Sequence, residues 1–407
     1  MDPSICMETV KDLTTNGLGV DPDAEALVYE RPSINSLVPG LFCTGRLSAA
    51  RVLLRMPSPD LWNGKLMIGA TPAVRNEYSL DLLLSDIVIQ RGYAYAACDK
   101  GTPQLTLRDP SRSMEEWTDI YAQLTDWAAS HVESYYGSKA QYIYISGVSN
   151  GGYITRRMME LYPHRYHGGV EWEGVLWHTR QRHLLTTLPV MVQSYPIYRN
   201  WRGDYSTAER ASAFENLIEM GLHPDSEPFW DVYYRVYWLV SLWLYGRNLD
   251  PDWKPFAAEW SKDWLENPQF LAEYPWLERL PFFNERIKRI ENNGQITKPL
   301  LSVAGNYDCL IPFRDHAEAY AKLVESAGAS TYHRLYEIDR GNHVDGLLRS
   351  HRGKQQPVLP YYEAALMHME CWVEKGFSPP QSGKYEKIED FAGDIALFSK
   401  SSSDSSD

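Results

Sequence analysis

The chain has 407 residues, a formal net charge of −13 and no run of Lys or Arg, so it has the length for one large domain with an insertion and a field that repels a phosphate backbone. Its apolar and charged fractions, 44% and 23%, are those of a globular protein, while 14 Trp and 27 Tyr make it rich in rings. The most apolar stretch, VYYRVYWLVSLWLY, is short and interrupted by Arg235, so neither a membrane nor nucleic acid is expected as a partner.

The opening MDPSICMETVKDL has no basic n-region and no apolar h-region, and the five cysteines, Cys6, Cys43, Cys98, Cys309 and Cys371, are scattered with no C-x-x-C pair. Both features lead to the expectation of a cytoplasmic protein with reduced thiols, a disulfide between two of them being left open.

From about Pro39 onward, short β-rich runs alternate with amphipathic segments, the pattern of a doubly wound, mostly parallel sheet. The expected strands are Ala50–Met56, Lys65–Ile68, Tyr93–Cys98, Tyr142–Ser146, Gly168–Glu171, Leu300–Val303 and Tyr332–Ile338. A helix is expected to start at Ser113, with Glu116 completing a capping box. Its apolar stripe reads Trp117, Ile120, Tyr121, Leu124, Trp127 and Ala128, and Gly137 can end it. A second helix begins just after Ser149 and carries Ile154, Met158 and Leu161 on one face.

The alternation stops between His178 and Gln295, which hold eight of the 14 Trp and no convincing strand. This divides the chain into a first core part at 1–177, an inserted helical lid at 178–295, a second core part at 296–377 and a tail at 378–407, the tail too polar to bury a core.

The chemistry concentrates at three places. Gly147-Val148-Ser149-Asn150-Gly151 is a G-x-S-x-G pentapeptide between an apolar strand and a helix, where a tight turn would push the Ser149 hydroxyl into a cleft. The Asn150 N–H at the helix start would face a developing oxyanion. A hydroxyl needs a base oriented by a carboxylate, and in chain order KPLLSVAGNYDCLIP supplies Asp308 and DRGNHVDG supplies His343, both at carboxyl ends of strands. Glu173 and Asp345 are rivals for the acid.

A second oxyanion donor is expected from KLMIGATPAV, at Ala70 or Thr71, because Pro72 has no N–H. His164 and His167 have the spacing of a metal pair without a third ligand, and read better as caps of the preceding helix. The rings of the insertion, among them Trp230, Tyr233, Tyr234, Trp238 and Trp243, read first as its core; Trp230, Tyr234 and Trp238 are also candidates to line a substrate pocket.

With serine, acid and histidine in this order, the chain resembles the α/β-hydrolase superfamily over most of residues 40–377. Within it, GVSNGGYITRRMMELYPHRYHGGVEWEG, GNHVDG and MHMECWVEKGFSPPQ resemble the tannase and feruloyl esterase branch and its relatives, the 3-hydroxybutyrate-oligomer hydrolases. The resemblance implies Ser149 as nucleophile, Asp308 as acid, His343 as base and no cofactor. Separately, no metal is expected, and the expected partner is a small-molecule ester, with a homo-oligomer left open. Fungal-type tannases have a cysteine just before the nucleophile and another just before the histidine; Val148 and Asn342 stand there, which tells against gallate or ferulate. A lactone, an amide, a carbon–carbon bond beside a carbonyl, or acyl transfer would use the same residues, and a non-catalytic binding protein on this scaffold is the rival from another class.

Overall fold

The computed structural model describes residues 5–102, 113–257 and 269–393. Ten strands make one sheet: β1 Cys6–Val10, β2 Gly40–Leu47, β3 Ala50–Pro57, β4 Lys65–Ala70, β5 Ala94–Cys98, β6 Tyr142–Val148, β7 Gly168–Trp172, β8 Leu300–Gly305, β9 His333–Ile338 and β10 Gly383–Tyr385. Their order is β1-β2-β3-β5-β4-β6-β7-β8-β9-β10. The pairs up to β3–β5 are antiparallel and the remainder are parallel.

Both faces of the sheet are buried because its strands alternate between two cores. Val52, Leu54, Leu66, Ile68, Ala94 and Ala96 point to one, and Leu53, Met67, Tyr95 and Ala97 to the other. Short helices α1 Thr15–Leu18, α2 Pro22–Glu25 and α3 Asp86–Gln90 precede α4 Trp117–Tyr136 and α5 Asn150–Leu161. Between β7 and β8 come α6 Leu184–Tyr198, α7 Thr207–Glu219, α8 Glu227–Tyr233, α9 Leu239–Leu249, α10 Gln269–Ala272 and α11 Trp276–Ile290; α12 Ala319–Ser326, α13 Leu359–Lys375 and α14 Ile388–Ala392 follow. α4 and α5 share their core with α6, α8, α9 and α11, whereas α3, α13 and α14 cover the opposite face.

All seven expected strands are present within two residues of their expected ends. β1, β2 and β10 are additions. No strand lies between His178 and Gln295 among the described residues, and Trp260 and Trp264 fall outside them. Four local expectations are corrected. Ser113 does cap, but its hydroxyl accepts the N–H of Glu115 rather than that of Glu116, and the first turn is a tighter one at Met114–Glu116. Leu161 is 41% exposed and leaves the buried face of α5 at its last turn. His167 caps no helix: its Nδ1 accepts the N–H of Ile143 and so holds the start of β6. The segment expected as a tail carries β10 and α14, with Phe391 buried against Tyr336 and Tyr361; residues 394–407 lie outside the described residues.

Candidate active site

The sheet reverses its winding at β4, which lies between β5 and β6, and a crevice beyond the carboxyl ends of strands forms at such a point. Ser149 stands there, directly after β6, at φ 59° and ψ −117°. That backbone region is costly for any residue with a Cβ and persists only where the surroundings enforce it. They do so through contact: a Cβ at Gly147 would lie 2.3 Å from the Ala70 carbonyl oxygen, and one at Gly151 only 1.8 Å from it. The glycines of the pentapeptide therefore let β6 and α5 close onto the end of β4. Ser149 N–H donates to the Trp172 carbonyl and the Ser149 carbonyl accepts from Tyr153 and Val175, so the turn is fixed on three sides.

Asp308 and His343 converge from loops after β8 and β9. The loops cross at Gly305 and Gly341, where a Cβ on Gly305 would lie 2.2 Å from Gly341 backbone, and Tyr307 N–H donates to the Gly341 carbonyl. Asp308 Oδ1 accepts the N–H groups of Leu310 and Ile311 at 2.7 and 2.8 Å, leaving Oδ2 to accept from His343 Nδ1 at 2.7 Å. Burial works to raise the Asp308 pKa, but His343, Glu173 and the Ile311 N–H hold it below its ordinary value. Donation from Nδ1 leaves Nε2 as the acceptor of the imidazole. Among the described residues no hydrogen bond joins Ser149 Oγ to Nε2, a bond that in unliganded sites is often long and tightens on substrate binding. Ser149, Asp308 and His343 are all buried, with Ser149 7% exposed.

The rival acids are placed differently. Asp345 accepts from the N–H groups of Val358 and Leu359 and so caps the start of α13; burial pushes it up to about 7. Glu173 is beside Asp308, at φ 51°, with Oε1 accepting the Gly305 N–H at 2.5 Å. Glu173, Asp308 and His343 form a group whose ligand atoms fall within 4.8 Å of one another, the only such group of possible metal ligands among the described residues. At 2.7 Å, however, the Asp308–His343 atoms are closer than the roughly 3.3 Å between two ligands of a tetrahedral zinc, so the contact is a hydrogen bond rather than a chelate.

The oxyanion expectations divide. Asn150 opens α5, where its N–H lacks an intrahelical acceptor, and its Nδ2 donates to Tyr245 Oη and the Ala73 carbonyl. Ala70 is the last residue of β4, in register with Gly147. Thr71 is spent: its N–H donates to Tyr121 Oη at 2.8 Å and its hydroxyl to the Cys98 carbonyl, while Lys100 Nζ donates to its carbonyl. Ala73, which the sequence does not single out, takes φ 42°, and its N–H has no partner among the described residues. Alanine carries no sequence signal for such a conformation.

Trp230, Tyr234 and Trp238 have no exposed surface. They pack on Tyr195, Tyr198, Trp201 and Phe214 inside the insertion. Trp238 Nε1 donates to the Cys309 carbonyl and Tyr233 Oη to Asn342 Oδ1, so the insertion grips the acid and histidine loops. All five cysteines are free.

This sheet, with a serine elbow after β6, an acid loop after β8 and a histidine loop after β9, defines an α/β-hydrolase fold. Its structural likenesses are to feruloyl esterase B from Aspergillus oryzae (TM-score 0.55, 13% identity, 93% of this chain and 87% of that one) and to an esterase from Aspergillus oryzae (0.56, 14%, 93% and 88%). Tannin acyl hydrolase from Aspergillus niger is similar as well (0.54, 13%, 92% and 83%). Identities this low speak for a shared fold. No family model matches the chain, and no curated protein matches it.

Proposed function

We propose that the chain is a serine hydrolase that cleaves a carboxylic ester of a small, apolar or aromatic substrate through an acyl-enzyme on Ser149. The observation that carries this reading is the strained elbow at Ser149, together with the buried Asp308–His343 hydrogen bond in loops at the same edge of the sheet. Three similar structures named as esterases or an acyl hydrolase support it.

In the proposed cycle, neutral His343 takes the Ser149 proton at Nε2 while Oγ attacks the ester carbonyl, and Asp308 stabilises the imidazolium from Nδ1. The N–H groups of Asn150 and Ala73 receive the oxyanion, assisted by the N-terminus of α5. His343 then protonates the leaving alcohol, and water, deprotonated in turn by His343, frees the acid. The helices between β7 and β8 act as the lid. The free cysteines accord with a reducing compartment, and no helix among the described residues is long and apolar enough to cross a membrane.

A panel of aryl and alkyl esters, lactones and amides, assayed with wild type and Ser149→Ala, tests the reading. Ester turnover should fall by roughly three orders of magnitude or more in the variant, and turnover that survives the substitution would contradict it.

A further inference from the structure

One buried acid lies against the triad and has no part in the proposed cycle. Glu173 is 2% exposed and follows β7 in a strained, positive-φ turn, its N–H donating to the Val303 carbonyl. The turn is braced by the buried Arg156–Glu171 ion pair, Arg156 donating to the Gly174 carbonyl and Glu171 accepting the Gly174 N–H. This rigid setting directs the Glu173 carboxyl at the acid loop. Oε1 takes the Gly305 N–H, but buried Oε2 has no donor to accept from, and the Asp308 carboxylate lies beside the Glu173 carboxyl.

Two carboxyl groups this close, away from water, cannot both hold a negative charge cheaply; one proton shared between them removes the repulsion. The surroundings decide where the proton resides. Asp308 is served by two backbone N–H groups and by His343, three donors that favour an anion, whereas Glu173 is served by Gly305 alone. We propose that Glu173 is a positioning residue: it stays a neutral carboxylic acid whose Oε2–H donates to the Asp308 carboxylate and fixes that carboxylate against His343.

A proton on Oε2 gives the orphaned oxygen its partner. Burial and the adjacent Asp308 push the Glu173 carboxyl well above its usual range, and the Asp308 carboxyl is held below its own, in the same sense. The other ionisable groups facing the pair do not reverse this: Glu171 on β7 adds to the cost of a charge on Glu173, burial lowers the pKa of His316 to about 3 and so keeps it neutral, and Tyr233 of α8 and Cys309, their pKa values raised by burial, stay neutral as well. Glu173 thus touches no reacting atom and acts through Asp308, a role that rests on Ser149, His343 and Asp308 forming the triad proposed above.

The test uses the full chain with Glu173→Gln, whose amide can still donate, and Glu173→Leu, which cannot. Infrared difference spectra of wild type against Glu173→Gln at neutral pH should show the loss of one protonated-carboxyl carbonyl band. Its absence overturns the inference whether or not any substrate is turned over. In ester assays Glu173→Gln should keep the acid limb of the kcat/KM profile where wild type has it, because no charge is removed. An ionised Glu173 would instead support the His343 cation, and its loss would move that limb to lower pH by about one unit, which also overturns the inference. Glu173→Leu should lower kcat about tenfold with KM within about twofold, and wild-type kcat in this variant contradicts a positioning role. A wild type that turns over no ester but shows the band refutes the triad reading and leaves the buried acid pair standing.

Discussion

Ser149 carries backbone strain that only its surroundings justify, at φ 59° and ψ −117°. Glycine adopts this region freely, so Ser149→Gly should raise the unfolding free energy by about 1 kcal/mol while abolishing turnover, an opposition that chemical denaturation and an ester assay would reveal together. Gly151 in the elbow and Gly137 at the end of α4 behave in the reverse sense. Gly151→Ala drives a methyl into the Ala70 carbonyl and should cost on the order of 3 kcal/mol, whereas Gly137→Ala, at φ 73° with open space, should cost about 1 kcal/mol. Ser149, Asp308 and His343 were legible because each has a local signature of strand, turn and residue type. Thr71 and Glu173 were readable only as candidates, and Ala73 not at all: spacing does not tell that Tyr121 takes the Thr71 N–H, or that two acids from separate loops meet.

Elements reach the site through fastenings between them. Lys100, just past β5, donates to the Thr71 carbonyl and hydroxyl beyond β4, and burial pushes its pKa from 10.5 down to about 7. Between those values the unfolded chain holds a proton that the folded protein has lost, so this group makes stability rise with pH across that window. Lys100→Met should remove a rise on the order of 2 kcal/mol between about pH 7 and pH 9, measured as the difference between the two proteins' denaturation curves. Parallel strands buried on both faces announced themselves as apolar runs. β1 did not, being an exposed edge of sequence CMETV, and β10 has three residues whose place depends on β9 beside it.

At the scale of the molecule, the insertion and the last described segment close the structure in different ways. The insertion holds the acid and histidine loops through Trp238 and Tyr233, so Tyr233→Phe should lower kcat several-fold with little change in Tm. Its helical nature was readable from rings and missing strands; the inward packing of Trp230, Tyr234 and Trp238 was not, because an aromatic stripe looks alike whether it faces a pocket or a core. The central claim is that one serine, activated by His343, forms a covalent intermediate. Mass spectrometry of the intact protein after a fluorophosphonate probe, with peptide mapping, tests it most directly: a single adduct on Ser149, absent from His343→Ala, is predicted, and an unlabelled wild type or an adduct on another residue would contradict it.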